Sequence, residues 1–594
     1  MTAPFGRRLC EVTESRATGG YRIFSLLDRE GPAPEPGQFY MLAAACGWGE
    51  GGGRPFLPRA ISVAEAAPAK GGVRLDFLVE GVGPGTDALC KLGGGEEVWV
   101  TGPLGNAFSI PMQVNPDAAG AILVGGGIGI APLAIWRRHL VERGVPLRVL
   151  LGFRNQEHSG GLNELFCAGG NLCPDVKLAT EDGHTGHQGY VTDLLAAMLA
   201  GDDAGTAVVY SCGPPAMLEA VAALCDSRGV SYQLAEESPM ACGFGACYGC
   251  AVPKPGGGYL RLCVDGPITG AIPAGGDDIE DSPGRESPIS ETGPAGQGPS
   301  SLAVEFCGIE LSHPVINASG TYDAIAARKV FGDQLLDEFP FSAFVSKTIT
   351  PEPRAGNEPQ RIWETPAGMI NSIGLPNKGL EGFLAEDLPQ LAVLPVPLIV
   401  SVMATNQEDF ARLVSAVAAR DEVAAIELNV SCPNVHSGLI VGENPNETEA
   451  LMEVLRPLTE KPLIVKLTPN VAAPEAVAVA AEAGGADGVS LINTLKASAI
   501  DPATGEPALA AGHGGLSGPA VRPIALQQLR AVNAVTEIPA IGMGGIASGA
   551  DAAEFLSAGA TLVAVGTESF RDPRAGARIA NELETAMYEA PVRL

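Results

Sequence analysis

Positive charge is what this sequence has least of: 38 Lys and Arg stand against 68 Asp and Glu in 594 residues, a net charge of −30. A surface of that sign repels nucleic acid and anionic membranes, both polyanions, and leaves small anions to focused local sites. Long apolar runs are also missing. The longest uncharged stretches, residues 118–136 and 388–406, are broken by five glycines and three prolines, and read as buried strands rather than membrane helices. No charged-then-apolar signal segment opens the chain. The 13 cysteines are an odd number, thinly spread except for one tight group, which suits a reducing compartment with a metal site better than a disulfide framework. The expected setting is the cytoplasm, with no nucleic acid and no membrane as partner.

What is present is length and texture. At about 150 residues per domain the chain holds three or four domains. The clearest boundary is residues 270–300, dense in Gly, Pro and Ser with six acids to one Arg, which reads as a solvated linker. Upstream, the short alternating runs YRIFSLL, RLDFLVE and EEVWVTG predict a small antiparallel barrel over residues 1–110. From Ala121 the texture becomes strand, glycine turn and helix, with later strands LRVLLGF, VKLATE and AVVYSC, the alternation of a parallel sheet over 111–235. Downstream, eight apolar runs (314–318, 343–347, 397–402, 424–429, 462–467, 487–492, 538–543 and 561–566) predict one (β/α)8 barrel over 301–594. Ser319, Lys347, Asn429, Lys466, Asn493, Gly544 and Gly566 stand at or just past the ends of these runs, the face where such barrels do chemistry.

The strongest local signal is Cys242-x4-Cys247-x2-Cys250-x12-Cys263, in residues 236–269. Three thiolates on one glycine-rich loop and a fourth returning from a hairpin match plant-type [2Fe-2S] ligation. Zinc is the alternative, although zinc knuckles usually pair two C-x2-C units. Arg59 and Ser62 at the end of a barrel strand, with Gly85 and Thr86 in a turn, offer a guanidinium, a hydroxyl and free amides to a diphosphate. The turn Gly125, Gly126, Gly127, Ile128, Gly129 permits close approach of a pyrophosphate to a helix start, and Cys212, Gly213 and Pro214 open a second helix at the same sheet edge, so that the two loops can meet around a nicotinamide. In the second half, Asn429 and Asn434 flank Cys432; Asn offers donor and acceptor to a planar imide or carboxylate, and a thiol of reference pKa near 8.5 is a soft base. A buried Cys is otherwise most often an inert small hydrophobe. Lys347 and Lys466 lie inside apolar strands, where an unpaired ammonium is costly, and are placed to stabilise negative charge. Gly544, Gly545 and Gly566 form glycine turns after strands seven and eight, the usual phosphate grip of this barrel. His184, His187 and His436 read as ordinary loop residues.

In this order the barrel, RAIS (59–62), the Gly85-Thr86 turn, LVGGGIG, CGPPAM and the four-cysteine loop resemble the ferredoxin-reductase-type electron-transfer subunit of the NAD-dependent dihydroorotate dehydrogenases, over residues 1 to about 270. Residues 302–570 resemble the catalytic subunit through VSKT, GMINSIGLPN, LNVSCPN, VKLTPN, INTLKASAID, GGLSGPA, GMGGI and VGT. The resemblance implies a ferredoxin-reductase-like β-barrel with FAD, an α/β NAD domain and a [2Fe-2S] domain linked to a (β/α)8 TIM barrel with FMN, fused in one chain where the family ordinarily keeps two subunits. For FAD it implies Arg59, Ala60, Ile61, Ser62, Leu78, Val79, Glu80, Gly85 and Thr86; for NAD, Gly125, Gly126, Gly127, Gly129, Cys212, Gly213 and Pro214; for the cluster, Cys242, Cys247, Cys250 and Cys263. For FMN it implies Ala318, Ser319, Gly320, Lys347, Thr348, Ser401, Asn429, Lys466, Ile492, Gly518, Gly544, Gly545, Gly566 and Thr567. Substrate falls to Lys347, Asn371, Ser372, Ile373, Gly374, Leu375, Asn429, Asn434, Asn493 and Thr494, with Cys432 as the base that removes a C5 proton while hydride leaves C6. The implied activity is oxidation of dihydroorotate to orotate in pyrimidine synthesis, electrons passing from FMN through the cluster and FAD to NAD+, in a homodimer paired through its TIM barrels. The chain departs from the pattern at Ala60, where Pro is usual, at Ser401, where Asn is usual, and in the lid after Asn434. A reductase of free pyrimidine bases shares the barrel and the Cys base, but Lys347 and Asn371 favour a carboxylated ring.

Overall fold

The computed structural model of the chain describes residues 2–49, 53–168, 171–201, 206–254, 256–270, 302–430 and 441–589. Strands β1 (Arg8–Thr18), β2 (Tyr21–Asp28), β3 (Phe39–Ala44), β4 (Arg59–Ala69), β5 (Gly72–Glu80) and β6 (Glu97–Leu104) close an antiparallel barrel in the order β1-β2-β5-β4-β3-β6. Alternation builds it: in β1, Cys10 and Val12 turn inward while Leu9, Glu11 and Thr13 face solvent. Phe77 centres the interior, its ring 5.5 Å from Phe24 and 5.7 Å from Tyr40. The buried Arg8 fork closes on Asp28, with Nε donating to Oδ1 at 2.8 Å. A short helix, α1 (Pro84–Cys90), follows β5.

The next unit is a sheet covered on both faces. Strands β7 (Gly120–Gly126), β8 (Leu147–Phe153), β9 (Val176–Thr180), β10 (His187–Gln188), β11 (Ala207–Cys212) and β12 (Tyr232–Ala235) run parallel in the order β10-β9-β8-β7-β11-β12. Leu123 of β7 packs with Trp136 of helix α2 (Ile130–Glu142) on one face. Its neighbours Ile122 and Val124 pack with Leu195 of α3 (Val191–Leu199) and Val221 of α4 (Pro215–Arg228) on the other. Apolar side chains on both sides are why these strands read as continuous hydrophobic runs. The four-cysteine segment contributes a hairpin, β13 (Ala251–Pro253) and β14 (Tyr259–Arg261), then joins this sheet through β15 (Ile268–Gly270), which pairs antiparallel with β12.

Each of the eight runs predicted in the second half contains a strand. They are β16 (Val315–Asn317), β17 (Phe344–Val345), β20 (Leu398–Val402), β21 (Val423–Asn429), β22 (Leu463–Lys466), β23 (Gly488–Leu491), β26 (Ala540–Met543) and β27 (Leu562–Val565), parallel in the order β16-β27-β26-β23-β22-β21-β20-β17. The seam between β16 and β17 is closed by a side chain rather than a ladder. Fully buried Asn317 donates from Nδ2 to the Val345 carbonyl and accepts the Val345 N–H on Oδ1, both at 2.8 Å, and the Ser342 N–H reaches the Val315 carbonyl at 3.1 Å. A second, antiparallel sheet adds β18 (Ile362–Thr365), β19 (Gly368–Asn371), β25 (Gly514–Ser517) and β24 (Leu495–Ala497), in the order β18-β19-β25-β24. Residues 368–377 look loop-like in the sequence, yet the first four form β19. Gly368 is required there, because a Cβ would overlap the Ser517 carbonyl across the strand pair.

One apolar core runs through both halves: Met41 and Leu104 of the first barrel, Phe244 and Ala246 of the cysteine loop, and Tyr322 and Phe331 of the second barrel all belong to it. The Phe244 ring lies 5.7 Å from Tyr322 and 5.6 Å from Phe331, which closes helix α5 (Ala324–Phe331). Among the described residues no helix is long and apolar enough to cross a membrane.

Candidate active site

A pocket opens at the C-terminal ends of the (β/α)8 strands, and most residues singled out in the sequence line it. From the flavin set these are Ala318, Ser319, Gly320, Lys347, Thr348, Asn429, Lys466, Ile492, Gly518, Gly544, Gly545, Gly566 and Thr567; from the substrate set, Asn371, Ile373, Gly374, Leu375, Asn493 and Thr494. Two expected residues are not in the wall. Ser401, buried in β20, bonds Thr348 Oγ1 at 2.9 Å and donates to Glu427 Oε1 at 3.0 Å, one layer beneath the pocket. Ser372 is buried with its hydroxyl taking the Asn357 amide at 2.9 Å, because alternate residues of an extended chain face opposite ways and Asn371 takes the pocket side. Cys432, Asn434 and His436 lie outside the described residues.

Both lysines have partners. Lys466 Nζ donates to Ser319 Oγ at 2.7 Å and sits 3.7 Å from Glu427 Oε1, whose other oxygen accepts from Ser490 at 2.9 Å. Glu427 is a buried carboxylate that sequence reasoning missed; its signal was an acid inside the apolar run AAIELNV. Lys347 Nζ donates to the Ala246 carbonyl at 2.8 Å and the Gly320 carbonyl at 3.2 Å, and stands 4.3 Å over the Tyr248 ring. Burial pulls its ammonium below the ordinary lysine value, against the opposing pull of Asp323 and Cys247. On the floor, Asn429 donates to Thr348 Oγ1 at 3.2 Å, and Asn371 Nδ2 bonds the Gly515 carbonyl at 3.1 Å. The glycine turns fit a phosphate: Gly518, Gly544 and Gly545 have φ of 101°, 129° and 80°, and a Cβ on Gly545 would lie 2.8 Å from the Gly518 carbonyl.

The pocket reaches the other half of the chain, since Cys247 is part of its wall. The four cysteines are buried and free of disulfides; Cys250 and Cys263 sulfurs are 3.3 Å apart, and the Gly245 and Gly249 N–H groups point at Cys263 and Cys247 sulfurs at 3.2 and 3.3 Å. Among the described residues no three His, Cys, Asp or Glu side chains close on one point as ligands of a single ion. Four buried cysteine sulfurs on one loop and its hairpin, with backbone amides aimed at two of them, fit a two-iron cluster. Asp323, the N-cap of α5, holds this loop by accepting from Tyr248 OH and from Arg261 Nη1, both at 3.1 Å. Burial raises its pKa, but Arg261, Lys347, the Ala326 N–H and Tyr248 together take it below the usual carboxylate range.

In the first barrel, Arg59 to Ser62 start β4 rather than end a strand, because the apolar alternation continues past them to Ala69; Leu78 to Glu80 end β5, and Gly85 and Thr86 lie in α1. A Cβ on Gly85 would strike the Arg59 guanidinium, so the expected diphosphate ligands, a guanidinium and the amides of the Gly85 turn, lie side by side. Thr86 Oγ1 already caps its turn, taking the Val82 N–H at 3.0 Å, and the Val79 side chain is buried in the barrel, leaving only backbone to a ligand. The two glycine loops of the parallel sheet do meet. Gly129 abuts the Cys212 carbonyl, Gly126 and Gly213 pack on Met217, and Pro214 touches the Gly126 side, which makes these glycines packing residues. Gly127, at φ 56°, has only Tyr21 OH near its missing Cβ, so this part of the loop is open. His187 pairs with Asp193 at 3.4 Å on the surface.

Comparison with known proteins matches three families in one chain: the Oxidoreductase NAD-binding domain over residues 123–223, the Iron-sulfur cluster binding domain of dihydroorotate dehydrogenase B over 237–271, and Dihydroorotate dehydrogenase over 301–587. A Solibacter usitatus protein whose name places it with dihydroorotate dehydrogenase A (fumarate) is 46% identical over 293 residues, 95% of its length and 49% of this chain. The catalytic subunits of Dihydroorotate dehydrogenase B (NAD(+)) from Desulforudis audaxviator and Listeria innocua are 45% and 42% identical, each over 94% of its length and 49% and 48% of this chain.

Proposed function

The chain belongs to the dihydroorotate dehydrogenase family, and from that premise we propose that it oxidises dihydroorotate to orotate and delivers the electrons to NAD+, the catalytic and electron-transfer halves being fused. The observation that carries this reading is that Cys247 belongs at once to the four-cysteine loop and to the wall of the catalytic pocket. A fumarate-type enzyme has no use for an NAD-binding domain and a cluster loop at that position.

Bound FMN would supply the acceptor for the C6 hydride of the substrate, and a [2Fe-2S] cluster and FAD would supply the carriers between it and NAD+. The protein's own groups do the rest. Amides at Gly518, Gly544, Gly545 and Gly566 would hold the FMN phosphate, Lys466 and Thr348 would hold the flavin ring, and Glu427 keeps Lys466 in place. Lys347, Asn371, Asn429, Asn493 and Thr494 orient the carboxylated ring, and Asn434 completes the set from 431–440. Cys432 Sγ takes the C5 proton, a general-base step. Arg59 and Gly85 hold FAD, and the loops at Gly127 and Gly213 hold NAD. Two such chains pair through their TIM barrels, in the cytoplasm.

Anaerobic addition of dihydroorotate to the purified protein, followed by NAD+, tests the relay. Bleaching of flavin and cluster bands, then NADH formation, is expected; bands that NADH bleaches and dihydroorotate does not would remove orotate chemistry from the assignment. Sedimentation gives the mass of the pair.

A further inference from the structure

The loop before the Arg59 strand is anchored from the other half of the chain. Glu364, in β18, takes the Phe56 and Leu57 N–H groups on Oε1 at 2.8 and 2.7 Å, and the Arg59 fork closes on both of its oxygens at 3.1 and 2.8 Å; its carbonyl accepts from Arg54. The adjoining side of the guanidinium, Nε with Nη2, packs against Gly85, Nη2 also serving Glu364. A side chain with many rotamers is thereby set in one, with its Nε side held at the Gly85 turn. Burial works against the carboxylate, but Arg59 and the two amides hold it below the usual range, so Glu364 is charged at neutral pH. Two residues earlier, Ile362 covers Gly249 of the cysteine loop, where a Cβ would sit 2.8 Å from it. The partner strand β19 ends at Asn371 in the catalytic pocket. One hairpin thus touches the Arg59 loop, the cluster loop and the substrate pocket.

We propose that Glu364 is a positioning residue through which the catalytic half fixes Arg59 and the loop before it for FAD, so that FAD affinity in the first half depends on the second half being docked. The proposal rests on the FAD reading above. The test uses full-length wild type, Glu364→Gln and Glu364→Ala, stripped of flavin and titrated separately with FAD and FMN, with acid-labile sulfide measured on each sample. FAD dissociation constants about 10-fold weaker for Glu364→Ala and a few-fold weaker for Glu364→Gln are expected, with FMN affinity and sulfide unchanged, since Gln still accepts the two amides while losing the ion pair. Adding Arg59→Lys to Glu364→Ala weakens FAD little further, because both act through one guanidinium. FAD affinity within two-fold of wild type in both variants overturns the proposal, and so does equal loss of FAD, FMN and sulfide in Glu364→Gln, which marks a purely structural residue. Wild type that takes up FMN and cluster but no FAD overturns the FAD reading itself.

Discussion

Removing the Asp323 carboxylate is expected to loosen the cluster loop by a calculable amount. Its Oδ1 caps α5 through the Ala326 N–H at 3.0 Å, and Oδ2 holds Tyr248 and Arg261. Asp323→Ala loses a cap worth about 1 kcal/mol, which falls on the barrel. Breaking a buried ion pair while leaving its partner costs about 3–5 kcal/mol; here the two side chains keep 18% and 12% exposure, so about 2 kcal/mol is the better figure. The stranded Tyr248 hydroxyl adds about 1 kcal/mol. Docking of the cluster loop therefore weakens by about 3 kcal/mol, roughly a hundredfold in the opening equilibrium. Iron release to an anaerobic chelator reads that equilibrium wherever release needs the loop to open. Release about a hundredfold faster in Asp323→Ala is expected, with Asp323→Asn near thirtyfold, because Asn keeps the cap through Oδ1 while its Nδ2 can only donate to the Tyr248 oxygen and leaves Arg261 without its acceptor. A release rate within two-fold of wild type in Asp323→Ala would show that this carboxylate does not hold the loop.

Cys432→Ala is expected to slow reduction of the flavin by dihydroorotate by about 10²–10⁴ in rapid mixing, with NADH-driven bleaching unchanged. Gly545→Ala forces a Cβ 2.8 Å from the Gly518 carbonyl at φ 80°, a strain of about 1–2 kcal/mol, and is expected to lower FMN content while FAD content holds, by chromatography of released flavins. Asn317→Leu strands the buried N–H and C=O of Val345 and is expected to destabilise the second barrel by about 2–5 kcal/mol, seen as an earlier barrel transition in urea. Asp28 is buried; burial raises its pKa, while Arg8 and the Gly31 and Glu30 amides take it below the usual range. A lowered native pKa gives stability that is complete above the unfolded value, near 3.9, and is lost as pH falls through the native one. The first barrel of wild type is therefore expected to lose stability below about pH 5, and Arg8→Ala to flatten that loss.

What could be read from the sequence was local. The eight barrel strands fall on apolar runs of five or six residues ended by polar or glycine residues, and the four cysteines lie within 22 positions of one another, so both patterns exist before any folding. The seam, the hairpin sheet and the cluster anchor do not. Asn317 looks like one more residue at a strand end until β17 comes beside it, and β19 is a strand only because β25, more than 140 residues later, presents a backbone that Gly368 and Gly514 let approach. Ser401 was placed at the flavin by resemblance, but an inward residue of β20 can stop one layer short, and the layer is set by where Glu427 and Thr348 sit. Arg261, Asp323, Tyr248 and Glu364 carried no signal because charged and aromatic residues on loops are usually surface.

Those four residues explain why the halves need more than an apolar interface. The core shared by Met41, Phe244 and Phe331 is non-directional: it favours burial but tolerates sliding by an ångström or two. A covalent connection already keeps the halves at an effective concentration on the order of millimolar, so additional affinity adds little to docking. Electron transfer between separately held groups depends on distance and register, and register is what polar pairs impose, because a displaced pair leaves a desolvated charge behind. Arg59 with Glu364, Arg261 with Asp323, and Lys347 with the Ala246 carbonyl pin the interface at three points that do not lie in one element. Three such points fix a rigid body, and each stands beside a different site: the FAD cradle, the cluster loop and the catalytic pocket.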